Sequence, residues 1–157
     1  METEGGRLFN KATHPIVRYL IGSVPFNRYL ATGEHPSDKH RWTVDMIHET
    51  LDVMKKHSVE YSGTVYRSGE EKYTVVQPLK NVLSCTTDHD YAKHYAKGDV
   101  WTLRLHKVRV FKMSTVLDIA RVSLKQEALI GREHEIVILP GVKIVRAGSR
   151  LLDVYPE

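Results

Sequence analysis

The sequence predicts an α+β fold in which helices come first and a mostly antiparallel sheet follows. Three observations carry this. In the first third of the chain, apolar residues recur at spacings of three and four, the period of a helix with one buried face. From Ser62 onward the period changes, and short runs of alternating or β-branched residues are separated by turn-forming residues. The two patterns are segregated along the chain rather than interleaved, which favours α+β over a doubly wound nucleotide fold. Neither Gly-x-Gly-x-x-Gly nor a Gly-Lys-Ser/Thr phosphate loop occurs.

In order, residues 1–9 read as a loose tail. Lys11 to Ala31 carries a helical stripe of Ile16, Tyr19, Leu20 and Val24, with Thr13 placed to cap it and Pro15 suited to its first turn. Pro25 has no N–H to donate, so the helix should break or kink near Gly22-Ser23 and leave a second piece, Phe26 to Leu30. Thr32 to Ser37, with Gly33 and Pro36, reads as a loop. Asp38 to His57 predicts a second helix, whose stripe of Val44, Ile47, Leu51 and Met54 faces a core.

Gly63 to Gly69 then reads as a short strand ending in a turn, and Tyr73 to Val76 as an extended piece within a polar stretch. Asn81 to Thr86 is a further strand. Asp88 is a good N-cap for a short helix to Ala96, which sets Tyr91, Ala92 and Tyr95 on one face. Val100 to Lys112 alternates, but the phase slips: Trp101, Leu103 and Leu105 are in step, whereas Val108 and Val110 take the opposite parity. A bulge near His106-Lys107 reconciles them. Val116 to Ile119 is a brief apolar segment, and Ala120 to Ile130 is helix or loop. Strands follow from Glu133, over Val142 to Arg146, and over Leu151 to Tyr155.

Composition bounds the function. The chain has 157 residues, the size of one domain, with 41% hydrophobic and 27% charged residues, an ordinary globular balance. No apolar run of about 18 residues occurs, so no membrane span is expected. The N-terminus is acidic and polar, unlike a secretion signal, and the lone Cys85 excludes an internal disulfide. Both point to a cytoplasmic protein. The net charge is +4; residues 1–60 hold eight bases and eight acids, so the excess lies in residues 61–157. Such an excess can help an anionic ligand or a nucleic acid approach, though one this small often serves solubility alone.

The stretch richest in chemistry is Gly131 to Gly141. It sets Glu133 and Glu135 one residue apart at the head of the apolar run Ile136 to Leu139, and closes with Pro140-Gly141. If the segment is extended, the two acids share a face, with Cβ atoms roughly 6.5–7 Å apart, and His134 points the other way. Paired carboxylates at the lip of a buried strand suit acid–base or cation-stabilising chemistry, although on an exposed strand they are commonly just a solvated edge. Arg67, before Ser68-Gly69, could clamp a phosphate pair bidentately. Ser84-Cys85-Thr86-Thr87 is a hydroxyl cluster at a strand end.

Taken together and in order, Val65-Tyr-Arg67-Ser-Gly69, Leu83-Ser-Cys-Thr-Thr-Asp88 and Glu133-His-Glu135-Ile-Val-Ile-Leu-Pro-Gly141 resemble the arginine/serine/glutamate class of mono-ADP-ribosyltransferases, which contains arginine-specific bacterial toxins and bacteriophage enzymes. Phe26-Asn-Arg-Tyr-Leu30 with the helix after it resembles the family's helical N-terminal portion, and Val116-Leu-Asp-Ile119 the approach to its Glu-x-Glu turn. The likeness covers roughly residues 15–146. It departs in Ser-Cys-Thr for the family's Ser-Thr-Ser and in the Ser between Arg67 and Gly69, which leaves open whether Thr86 or Thr87 is the third residue of the middle motif.

The resemblance implies a single catalytic domain with N-terminal helices and a mostly antiparallel two-sheet β-core, and NAD as the substrate. It implies that Glu135 stabilises the oxocarbenium-like ribose and holds its 2′-hydroxyl, that Ser84 aims Glu135, and that Arg67 binds the diphosphate or the adjacent ribose. Glu133 marks transfer to arginine and would align the acceptor guanidinium. Ser68, Thr86 and Tyr91 join Arg67, Ser84 and Glu135 as the NAD-binding set, with Tyr91 or Tyr95 either stacking on nicotinamide or packing its helix onto the sheet.

By family analogy the partner is an arginine-bearing protein, and the protein an effector, such as a phage protein acting in host cytoplasm, rather than a self-delivering toxin. No metal is expected: Asp90 and His94 are helix neighbours beside His89, but no second ligand pair accompanies them. Two rivals remain, ADP-ribosylation of nucleic acid or NAD hydrolysis at the same site, and a non-enzymatic nucleic-acid-binding module built on Trp101 to Arg109.

Overall fold

The computed structural model describes residues 19, 24–37, 42–69, 77–95, 99–116 and 134–157. Of the expected elements, the tail 1–9, most of the helix before Pro25, the piece Tyr73 to Val76 and the segment from Leu117 to Glu133 lie outside them.

Helix α1 spans Val24–Thr32, so Pro25 falls in its first turn, where the missing N–H costs nothing. Gly33, at φ 78°, ends it with its N–H on the Tyr29 carbonyl at 2.8 Å. Helix α2 spans Val44–Lys56, a later start than Asp38. The reason is local. Thr43 is extended and its hydroxyl accepts the Met46 N–H at 3.1 Å, which makes it the N-cap. Ile47, Leu51 and Met54 of the expected stripe are buried, while Val44, in the first turn, is half-buried.

The strands among the described residues are β1 (Val59–Gly69), β2 (Gln77–Pro78), β3 (Leu83–Thr86), β4 (Asp99–Lys112), β5 (Glu135–Ile138), β6 (Val142–Gly148) and β7 (Leu151–Pro156). A short helix, α3 (His89–Tyr95), follows β3, and a 3-10 turn, Met113–Val116, follows β4. Their order is β1-β3-β5-β4-β7-β6-β2, with β1 also paired to β4. Among the described residues every pairing is antiparallel except β4 with β7.

Among the described residues the strands form one hydrogen-bonded network. Strand β4 is the cause. It is 14 residues long, pairs with β1 along one edge, and on its other edge passes from β7 at Thr102–Leu105 to β5 at Val110–Lys112. The strands β1, β3, β5 and β4 thereby close a circuit. The bend that permits this is the expected bulge. Between the pairs Tyr61–Val108 and Gly63–Leu105, the single Ser62 faces both His106 and Lys107. Lys107 takes a positive φ of 53°, and its N–H is held by the Ser62 hydroxyl at 2.9 Å.

Two cores result. One lies between the helices and the sheet and gathers Tyr19, Phe26, Trp42, Ile47 and Met54 against Val82, Phe111, Val137 and Leu139. The other fills the inside of the curled sheet with Val65, Leu83, Cys85, Trp101, Leu103, Ile136 and Ile138. Side chains alternate across a strand, so β5 serves both cores, with Val137 in one and Ile136 and Ile138 in the other.

Candidate active site

The site grows out of that alternation. On β5, Ile136 and Ile138 point into the curled sheet, and Val137 points toward the helices. Glu135, in step with Val137, shares the helix-facing side and is 9% exposed. On β3, Cys85 belongs to the inner core, so Ser84 and Thr86 face the helices with Glu135. Thr86 is the Cα partner of both Glu135 on β5 and Tyr66 on β1, and Ser84 is the partner of Val137. Three residues distant in sequence, Tyr66, Thr86 and Glu135, thus lie in one row across three strands.

Arg67 follows Tyr66 and reaches from β1 to β3, where its Nη1 donates to the Ser84 carbonyl at 2.6 Å. A charged donor of this kind makes a stronger hydrogen bond than a neutral one, and it ties β1 to the strand carrying Ser84. The sheet therefore places Arg67, Ser84, Thr86 and Glu135 on neighbouring strands, with Ser84, Thr86 and Glu135 on the helix-facing side and Arg67 in step with Val65 of the inner core. The end of this region is stapled by the Thr87 N–H on the His134 carbonyl at 3.1 Å. Thr86 also accepts the Asp88 N–H at 3.1 Å, and Asp88 caps α3 by accepting the Tyr91 N–H at 3.1 Å. Thr86 is thus set in the row with Glu135, at the head of the turn into α3.

The remaining candidates lie as follows. Ser68, half-buried near the end of β1, is the partner of Val100. Tyr91 is half-buried in the first turns of α3, beside the buried Ala92. Strand β5 begins at Glu135, and Glu133 lies outside the described residues. His134 is exposed while Glu135 is buried. Among the described residues no cluster of His, Cys, Asp and Glu could hold a metal, and His89 instead lies edge-on to Tyr66 at 4.9 Å between ring centroids. No helix among them is long and apolar enough to cross a membrane.

Cys85 is a useful probe of the local field. Burial pushes its thiol up to about 12; Arg67 offsets part of this and Glu135 adds to it. Both charges are therefore close enough to act on the same sulfur. The thiol stays protonated at neutral pH and is no nucleophile. Trp101, Leu103 and Leu105 are 2% exposed or less, so Trp101 is packed in the core and does not offer its ring for stacking on a base.

Sequence reasoning missed two residues here. The hydroxyls of Tyr19 and Ser84 are hydrogen-bonded to each other across 65 residues of chain. Asn27 Oδ1 accepts the Val82 N–H at 3.2 Å, two residues before Ser84. Tyr19 had been read only as part of an apolar stripe, and nothing in its spacing distinguishes a tyrosine whose hydroxyl is used from one that merely packs.

No protein-family model matches the chain, and no curated protein matches it. Solved structures do. Exoenzyme S from Pseudomonas aeruginosa, solved with human 14-3-3 protein beta and carba-NAD, is similar over 94% of this chain and 82% of its own, with TM-score 0.54 and 14% identity. C3larvin, an ADP-ribosyltransferase toxin from Paenibacillus larvae, is similar over 99% and 97%, with TM-score 0.53 and 14% identity. The eucaryotic mono-ADP-ribosyltransferase ART2.2 is similar over 98% and 76%, with TM-score 0.58 and 11% identity. At these identities the likeness shows the fold. The chain has the α+β fold of mono-ADP-ribosyltransferases, as the three motifs led one to expect.

Proposed function

We propose that this protein is a single-domain, NAD-dependent mono-ADP-ribosyltransferase that breaks the nicotinamide–ribose bond and passes ADP-ribose to an arginine side chain of another protein. The observation that supports this best is the adjacency of β1, β3 and β5, which gathers Arg67, Ser84 and Glu135 from three separated motifs. The carba-NAD held by exoenzyme S, a protein of the same fold, supports the choice of substrate.

In this reading Arg67 meets the diphosphate, a role its planar donors suit, and Ser68, Thr86 and Tyr91 line the dinucleotide. The bond from ribose C1′ to nicotinamide breaks first, and its electron pair leaves with nicotinamide. Glu135, buried on the face it shares with Ser84 and Thr86, stabilises the cation that forms at C1′ more than it stabilises the ground state. A guanidino nitrogen then bonds to C1′, and Glu133 takes its proton. The acceptor, on family analogy alone, is a protein of a host cell's cytoplasm.

The test uses radiolabelled NAD with three acceptors in parallel: a cell lysate, agmatine as a bare guanidine, and purified RNA. Label on a lysate protein and on agmatine is expected, and Glu135→Ala should abolish it. Glu133→Gln should lose agmatine labelling while still releasing nicotinamide. Label confined to RNA would overturn the acceptor, and no nicotinamide release from the wild type would overturn the activity.

A further inference from the structure

We propose that Tyr19 is a positioning residue for Ser84, so that the helical layer sets the hydroxyl geometry of the site; this rests on the transferase reading. Tyr19 is 2% exposed, and its ring meets Phe26 edge-on at 5.3 Å, with Phe26 in turn 5.3 Å from Trp42. The phenol is thus clamped by the helix-side core, and its hydroxyl crosses to Ser84 Oγ on β3. A phenol is the stronger acid of the two, so Tyr19 donates and Ser84 accepts. Ser84 keeps its own proton for a second partner on the same face, where Glu135 stands on the adjacent strand. A serine hydroxyl otherwise turns freely. The Tyr19 donor removes that freedom by occupying one lone pair.

A second tie makes the same connection. Asn27 of α1 accepts the Val82 N–H at 3.2 Å. Val82 and Ser84 are two apart and share a face, so the helical layer grips β3 at consecutive helix-facing positions. Ser84 itself is only half-buried. It therefore faces the helical layer on one side and remains open to a ligand on the other.

Tyr19→Phe deletes the oxygen and keeps the ring, so the core should survive. Nicotinamide release and urea unfolding are measured for wild type, Tyr19→Phe, Ser84→Ala and the double variant. Tyr19→Phe is expected to lower kcat roughly 10-fold with the KM for NAD nearly unchanged, since a misaimed group costs rate more than affinity. On the Ser84→Ala background the same change should cost nothing further. The unfolding midpoints should be non-additive, as for residues in contact. Equal kcat losses in both backgrounds, or additive midpoints, would overturn the proposal. A wild type that releases no nicotinamide would sink the transferase reading, while the unfolding cycle would still decide whether Tyr19 holds Ser84.

Discussion

Glu135 on β5 and Asp153 on β7 are both buried in the same sheet, 9% and 7% exposed, and their surroundings differ. Asp153 is pinned by a bidentate guanidinium: Arg104 Nε and Nη2 each donate to it at 2.8 Å. His106 Nε2 reaches the same carboxylate at 2.8 Å, with Tyr155 stacked on the imidazole at 4.6 Å. The hydrogen bonds from Arg104, then from His106, keep the Asp153 carboxyl below the usual aspartate range. Glu135 instead shares its face with Ser84 and Thr86, and the nearby guanidinium of Arg67 bonds the Ser84 carbonyl. Burial alone therefore does not determine what surrounds a carboxylate. A bidentate guanidinium fixes Asp153 in the fold, whereas Glu135 lies on a face it shares with two hydroxyl residues.

The largest expected effect is at Glu135. Glu135→Gln keeps size and removes charge, and should cut nicotinamide release by on the order of 10²–10³-fold or more, with NAD affinity and Tm close to wild type. Steady-state kinetics with calorimetric titration checks this. A variant that keeps most of its rate would erase the distinction between the two acids.

Asp153→Asn should do the reverse: lower the Tm by several degrees and leave nicotinamide release within about twofold. Its pH dependence sharpens the contrast. With the folded value held below the usual 3.8, ionised Asp153 stabilises the fold at pH above that figure. The contribution is lost as pH falls through the lowered value. Melting curves of the two proteins should therefore lie apart near neutral pH and converge in acid; curves that stay equally apart would make Asp153 an ordinary packing residue.

The smallest effect is at the bulge that brings His106 to the Asp153 side. Lys107 is held at a positive φ that disfavours a side chain, so Lys107→Gly should raise stability by about 0.5 kcal/mol, with urea unfolding as the measure. A loss instead would mean that the lysine stem contributes packing that outweighs its backbone cost.

Much of the local structure was legible in the sequence, because it is written in periods and caps. The phase slip in Val100 to Lys112 located the bulge. Asp88 announced its helix, Pro25 the start of α1, and Pro140-Gly141 the turn after β5, where Gly141 sits at φ 97°, a conformation other residues disfavour. The types of Arg67, Ser84 and Glu135, with their order, were enough to suggest the chemistry. The expected start of α2 at Asp38 was too early, because the Thr43 hydroxyl caps a helix that begins at Val44.

What the sequence could not contain was who sits beside whom. Strand β3 lies between β1 and β5, and β4 closes the circuit, because apolar faces far apart in the chain fill one interior. The same packing carries Tyr19 to Ser84 and joins the described strands into one network. Periodicity and capping are set by a residue and its near neighbours, so one sequence displays them directly. Strand order is set by the burial of many surfaces at once, and only the folded chain resolves that competition.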